Sequence, residues 1–484
     1  MKRLHFISII ALILILNACS YSDLASPSFP AYNYSGDQYN DYGENPFIEV
    51  AKFPVSTFSV DADGASYANT RRFILDDHQI PPIGAVRTEE FLNYFQLDYP
   101  FTDFSHPINL NGEVSTCPWS EDHKLVRIGI QGKPLSSDQM PNSNFVLLID
   151  VSGSMSNPDK LDLLKNGFKK FVDAMRNEDR IAIVTYAGSS EVILPSTPGH
   201  QKTAIKDAID ELGAGGSTAG AEGITTAYEI AEAHFIEGGN NRIIMGTDGD
   251  FNVGISSQEE LVELIEAKRE RGVFLTVLGV GRGNLNDATL EQIANKGNGT
   301  YEYIDNVRQL KKVFLYDFGK FFTVAKDVKV QVEFNAENVA SYRLIGYENR
   351  LLSQDAFEDD SEDAGEIGAN QNITAIYEIV PLNNPEHSSD PTFSIDFRYK
   401  YPQEENSLEM ELPIFDEGNS FSASSDQMKF TASVAAFSML LSDSEYKGNS
   451  TYNRVLMWLD ECNLPDQHGF KSELIEIVEE AKDL

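Results

Sequence analysis

Between residues 145 and 322, short apolar runs rich in β-branched side chains alternate with amphipathic stretches. The runs are FVLLI (145–149), RIAIVTYA (180–187), EVIL (191–194), NRIIMGT (241–247), VFLTVLGVG (273–281) and TYEYI (300–304). Between most of them lie helix-period segments: KLDLLKNGFKKFVDAM, QKTAIKDAIDEL, AGAEGITTAYEIAEAHF and SSQEELVELIEAKRERG. Strands that read as unbroken apolar runs are buried on both faces, and helices between them supply parallel crossovers. The pattern therefore predicts a doubly wound α/β domain with a mostly parallel sheet.

Outside that span the period changes. KFPVSTFSV (52–60), INLNGEVS (108–115) and KLVRIGIQG (124–132) precede it, while DVKVQVEF (327–334), SYRLIGYE (341–348), ITAIYEIV (373–380) and TFSIDFRYKY (392–401) follow. Turn-bounded runs of this length predict antiparallel β-structure, hence one β-rich, sandwich-like domain built from both flanks with the α/β domain inserted in it. Short helices are expected at ASYANTRRFILDD and RTEEFLNYF. SSDQMKFTASVAAFSMLLSD (424–443) opens on a Ser-Ser-Asp cap, and YNRVLMWLDE and GFKSELIEIVEEAKDL add two more helices. The resulting division is 1–18 leader, 19–46 tether, 47–142 N-terminal flank, 143–322 α/β domain, 323–420 C-terminal β-flank and 421–484 helical tail.

The N-terminus is a separate object. Lys2 and Arg3 precede the 11-residue apolar core FISIIALILIL (6–16), too short to span a bilayer and suited to a signal peptide. The following Leu16-Asn17-Ala18-Cys19 resembles the lipobox of bacterial lipoproteins, which implies that Cys19 is lipidated and anchors the chain to a membrane of the cell envelope, in the outer membrane or facing the periplasm. The Ser-, Tyr-, Asn- and Gly-rich stretch after it reads as a flexible tether. Cys117 and Cys462 are then the remaining cysteines, and an exported location permits their pairing without requiring it.

At 484 residues and 41% hydrophobic composition the chain suffices for two or three cored domains. Its net charge of −37 repels phosphate backbones, which argues against nucleic acid as a partner.

The chemistry gathers at the carboxyl ends of the α/β strands, where such sheets bind ligands. Asp150, Ser152 and Ser154 follow the first strand, Thr218 lies in the glycine-rich GAGGSTAG bend, and Asp248 follows NRIIMGT. Two carboxylates and three hydroxyls are hard oxygen donors, suited to Mg²⁺, Ca²⁺ or Mn²⁺ rather than zinc or copper. A helix cap before PDKLDLLKNGF is the competing reading of the first loop. Asp250 either orients water beside a cation or faces solvent. Asp61-Ala-Asp63-Gly64 is expected to be a turn that caps the next helix, and the acidic run 355–366 a solvated loop. GVGRGN (279–284) lacks the glycine spacing of a nucleotide loop.

Asp150-Val-Ser152-Gly-Ser154, Thr218 in GGSTAG and Asp248 in GTDGD resemble the metal-ion-dependent adhesion site of von Willebrand factor type A domains. The flanks, from NPFIEVAKFPVSTFSVDADGASYANTRRFI and RTEEFLNYF to YRLIGYENRLL, DAGEIGA and ITAIYEI, are similar to those of a bacterial family of such lipoproteins. The resemblance implies a non-enzymatic binding module in which a divalent cation, Mg²⁺ foremost, presents an open position to an Asp or Glu of a protein partner. Two other classes stay open: a metal-dependent hydrolase, for which Asp250 is the one base in sight, and an envelope component whose metal only stabilises the fold.

Overall fold

The computed structural model describes residues 31–34, 36–216, 220–249, 258–382 and 389–484. The leader and Cys19 lie outside them, as do residues 20–30 and 35 of the tether, Thr218 and Asp250.

The α/β domain consists of β1 (Ser143–Asp150), α1 (Leu161–Ala174), β2 (Arg180–Tyr186), β3 (Ser190–Pro198), α2 (Lys202–Asp210), α3 (Gly220–Ala233), β4 (Asn240–Thr247), α4 (Gln258–Arg269), β5 (Val273–Val280), α5 (Asp287–Lys296) and β6 (Tyr301–Ile304). The strand order is β6-β5-β4-β1-β2-β3. All neighbours are parallel except β3, which runs antiparallel along the β2 edge. The residues of β1 explain its central place. Phe145, Leu147 and Ile149 enter the core under α1 and α2, while Val146 and Leu148 enter the core under α3, α4 and α5. A strand with apolar side chains on both faces is stable only when covered on both. Because β1 connects onward to β2 on one side and pairs with β4 on the other, the β1–β4 boundary is where the sheet reverses its winding, the usual position of a ligand crevice.

The flanks form two antiparallel sheets, and each contains strands from before and after the α/β domain. One runs in the order Ile48–Glu49, Val339–Ile345, Asn372–Pro381, Lys124–Gly132, Ile108–Thr116. The other runs Leu351–Leu352, Val55–Ser59, Thr323–Phe334, Phe393–Lys400, Leu408–Ile414, with Gly365–Gly368 also paired to Thr323–Phe334. Ile128 lies opposite Ala375 and Phe58 opposite Val330, so the β-domain cannot close until both flanks are present. Phe58, Val330, Phe397, Ile128 and Ile379 share its core.

Three C-terminal helices, Asp426–Leu441, Tyr452–Asp460 and Phe470–Asp483, pack with Phe91, Tyr94, Phe95 and Trp119 of the N-terminal flank in a separate core. Asp426–Leu441 is apolar nearly all round and correspondingly buried, with the Ser425 hydroxyl accepting from Met428 N at its start, as the Ser-Ser-Asp signal predicts. Arg71 ties three parts of the chain together. Its guanidinium lies 2.6 Å from Asp305 at the end of β6 and 2.8 Å from Glu473 on the last helix, with all three side chains buried.

Candidate metal-binding site

β1 ends on Asp150, whose side chain is fully buried. One carboxylate oxygen accepts from Ser152 N at 2.8 Å, folding the chain back into a tight turn, and the other accepts from the Thr247 hydroxyl at 3.2 Å. Thr247 is the last residue of β4, and its hydroxyl also accepts from Gly249 N at 3.2 Å. Pairing of Ile149 with Gly246 thus sets the ends of β1 and β4 side by side. The Ser152 and Ser154 hydroxyls are 3.0 Å apart on the short turn Gly153–Ser156, which buried Met155 pins to the core. Asp248 is fully buried.

Asp150, Ser152, Ser154 and Asp248 are therefore brought together, and Thr247 joins them as the residue that orients Asp150. The helix-cap reading of the first loop is excluded: Lys160 occupies the N-cap of α1, and the helix start takes no side-chain cap. The glycine-rich loop reaches the same place through its backbone, with Gly215 N donating to Val151 O at 2.7 Å and Gly153 N to Gly216 O at 3.1 Å. Gly216 is two residues short of Thr218.

Burial pushes the Asp150 carboxyl up to about 6, with the charge of Asp248 adding to the effect and the bonds from Ser152 and Thr247 opposing it. Burial acts on Asp248 in the same direction, but hydrogen bonds from Asn284, Ser154 and Lys160 outweigh it and hold that carboxyl below its ordinary range. Lys160 Nζ donates to Asp248 Oδ2 at 3.0 Å and to Asn284 Oδ1 at 3.0 Å, and Lys160 is itself buried. Sequence reading missed Lys160, because its partners Asp248 and Asn284 lie far along the chain.

A second acidic group lies away from this edge. Asp61, Asp63 and Glu291 bring carboxylate oxygens within 4.8 Å of one another. The Arg350 guanidinium stands among them, with Nη2 3.0 Å from Asp61 and 3.6 Å from both Asp63 and Glu291, and so supplies positive charge to the cluster. The expected helix cap is absent: Gly64 holds the N-cap position of Ala65–Arg71 without a side-chain bond. Asp61 does form the turn by accepting from Asp63 N, but Asp63 reaches into the α/β domain, accepting from Tyr301 N at 2.7 Å.

Comparison with known proteins bears on this arrangement. The von Willebrand factor type A domain model matches residues 144–315, a von Willebrand factor model matches 33–127, and the model "Uncharacterized protein YfbK, C-terminal" matches 319–484. The Escherichia coli (strain K12) protein YfbK is 40% identical over 467 residues, spanning 91% of this chain and 80% of that one. The chain belongs to the YfbK family. The alignment with YfbK spans the type A domain and both flanks. More distantly, bovine inter-alpha-trypsin inhibitor heavy chain H3 is 31% identical over 177 residues, covering 35% of this chain and 19% of that protein. Among solved structures, a von Willebrand factor type A protein from Catenulispora acidiphila covers 78% of this chain and 98% of its own at 16% identity and a TM-score of 0.42. BatB from Bacteroides thetaiotaomicron covers 37% and 98% at 24% identity and a TM-score of 0.32. Among the described residues no helix is long and apolar enough to cross a membrane.

Proposed function

We propose that this YfbK-family protein is an exported, lipid-anchored binding module that uses a divalent cation to capture an acidic residue of a protein partner. Asp150, Ser152, Ser154, Thr218 and Asp248 would hold the cation, with Mg²⁺ favoured and Ca²⁺ or Mn²⁺ compatible with the same oxygen donors. The observation that carries the reading is the convergence of two buried carboxylates and a pair of hydroxyls 3.0 Å apart at the β1–β4 switch point. A cation on mostly neutral donors keeps net positive charge and an exchangeable position, which is the chemistry that recognises a carboxylate. The acidic chain around the site cannot attract such a partner by its own field, so capture depends on the ion.

Cys19 would carry the lipid; residues 36–46, expected to be part of a flexible tether, are instead held in the fold, with Asp37 and Tyr39 buried and Asp37 accepting from Gly283 N. Replacement of Cys19 by Ser should move the protein from the membrane fraction to the soluble envelope fraction, and an unchanged distribution contradicts the anchor.

The binding role is tested by immobilising wild-type and Asp150→Ala protein and passing envelope extract over both in Mg²⁺ or excess chelator. Partners retained by the wild type in Mg²⁺ and lost both in chelator and in the variant support the proposal. Retention that survives both treatments contradicts it.

A further inference from the structure

We propose that Lys160 is a built-in competitor for the cation: its ammonium partners Asp248 and thereby sets how much free divalent ion the site needs. This rests on the reading that Asp150, Ser152, Ser154, Thr218 and Asp248 hold that ion. Lys160 Nζ sits 3.0 Å from Asp248 Oδ2, and the pair is buried, with side-chain exposures of 4% and 0%. An ammonium so close to one of two carboxylates cancels part of the charge that would otherwise draw a divalent ion, and burial leaves that opposition weakly screened.

The lysine is placed deliberately by its surroundings. Its stem lies across Gly281, where an added Cβ would come within 2.2 Å of Lys160 Cε. Gly281 also has φ +78, a conformation that glycine adopts without strain. Asn284, the second partner of the ammonium, is on the same loop. That loop is held from outside the α/β domain. Asp37, in the segment before the N-terminal flank, accepts from Gly283 N at 2.7 Å and Leu285 N at 3.1 Å, and Arg72 of that flank fixes Asp37 at 3.0 Å. GVGRGN, which has the wrong spacing for a nucleotide, thus has a role as the bracket that aims Lys160 at Asp248.

The ammonium offers its charge without donors that a cation could use, so removing it should raise affinity. The test is calorimetric titration of Mn²⁺ into wild type, Lys160→Met, Lys160→Gln and the double variant Asp150→Ala/Lys160→Met, with thermal melts confirming that each is folded. Lys160→Met keeps most of the apolar stem, and Lys160→Gln keeps a hydrogen-bond donor without charge. The expected result is Mn²⁺ binding at least tenfold tighter in both single variants, a difference of about 1.4 kcal/mol, and none in the double variant. Binding that depends on Asp150 but is unchanged or weaker in the Lys160 variants overturns the competitor role and leaves the site standing. Absence of Mn²⁺ binding in the wild type and both single variants overturns the site and this inference together.

Discussion

Arg350 Nε lies 3.0 Å from Asp61 Oδ2, joining a residue just after the strand Val55–Ser59 to one from the far side of the inserted domain. Through Asp63, which accepts from Tyr301 N, and Glu291 on α5, the same guanidinium also meets the α/β domain. It is the positive centre of a buried junction between both flanks and the insert. Arg350→Met should destabilise the protein by about 3–5 kcal/mol, because three buried carboxylates lose their shared counter-charge. Urea denaturation monitored by tryptophan fluorescence checks this. An unchanged midpoint would mean that the carboxylates are neutral or otherwise satisfied.

The same junction should make the protein sensitive to alkali. Burial pushes the Glu89 carboxyl up to about 8, with the charge of Glu348 contributing, and burial brings Glu348 to about 7. Each would release its proton near the ordinary 4.5 once unfolded. Between those values the native state binds more protons than the unfolded state, so stability falls as pH rises from about 5 to 9. Glu89→Gln removes one ionisation while its amide oxygen can still accept from Tyr347 N, as Glu89 does at 3.0 Å. The variant should lose less stability over that range and exceed the wild type by roughly 2 kcal/mol at pH 9. Parallel denaturation profiles for the two proteins would contradict the assignment.

Cys117 and Cys462 are free and buried. Burial drives the Cys117 thiol well up and pushes that of Cys462 up to about 12, so neither is a thiolate at neutral pH. In a Cys19→Ser protein, a thiol reagent at pH 8 should label neither cysteine before denaturation and both after it, and reductant should leave the melting temperature unchanged. Rapid native labelling, or a melting temperature lowered by reductant, would show a different cysteine state.

What could be read from the sequence follows from the range of the interactions involved. The central sheet was legible because each strand carries its own signature: alternate residues of FVLLI must bury on opposite faces, and they do. The sandwich built from both flanks followed from the change to antiparallel patterning on either side of the insert. The convergence at the sheet edge was legible because Asp150, Ser152 and Ser154 are neighbours in the chain, and Asp248 follows a recognisable strand. Lys160 and Arg350 were missed because their partners are distant in sequence and no local period encodes them. Asp61 and Asp63 illustrate the same limit. A local rule assigned them to a helix cap, whereas tertiary pairing with Arg350 and Tyr301 N determines their place. Thr247 has a positioning role, since its hydroxyl donates to Asp150 and fixes its orientation.

The central claim is that Asp150 and its neighbours hold a divalent cation. Equilibrium dialysis of Mn²⁺ against wild-type and Asp150→Ala protein, both verified as folded by thermal melting, measures this without reference to any partner. The account predicts one-to-one binding by the wild type that Mg²⁺ displaces, and none by the variant. Equal binding by the two proteins, or none by the wild type, would contradict it.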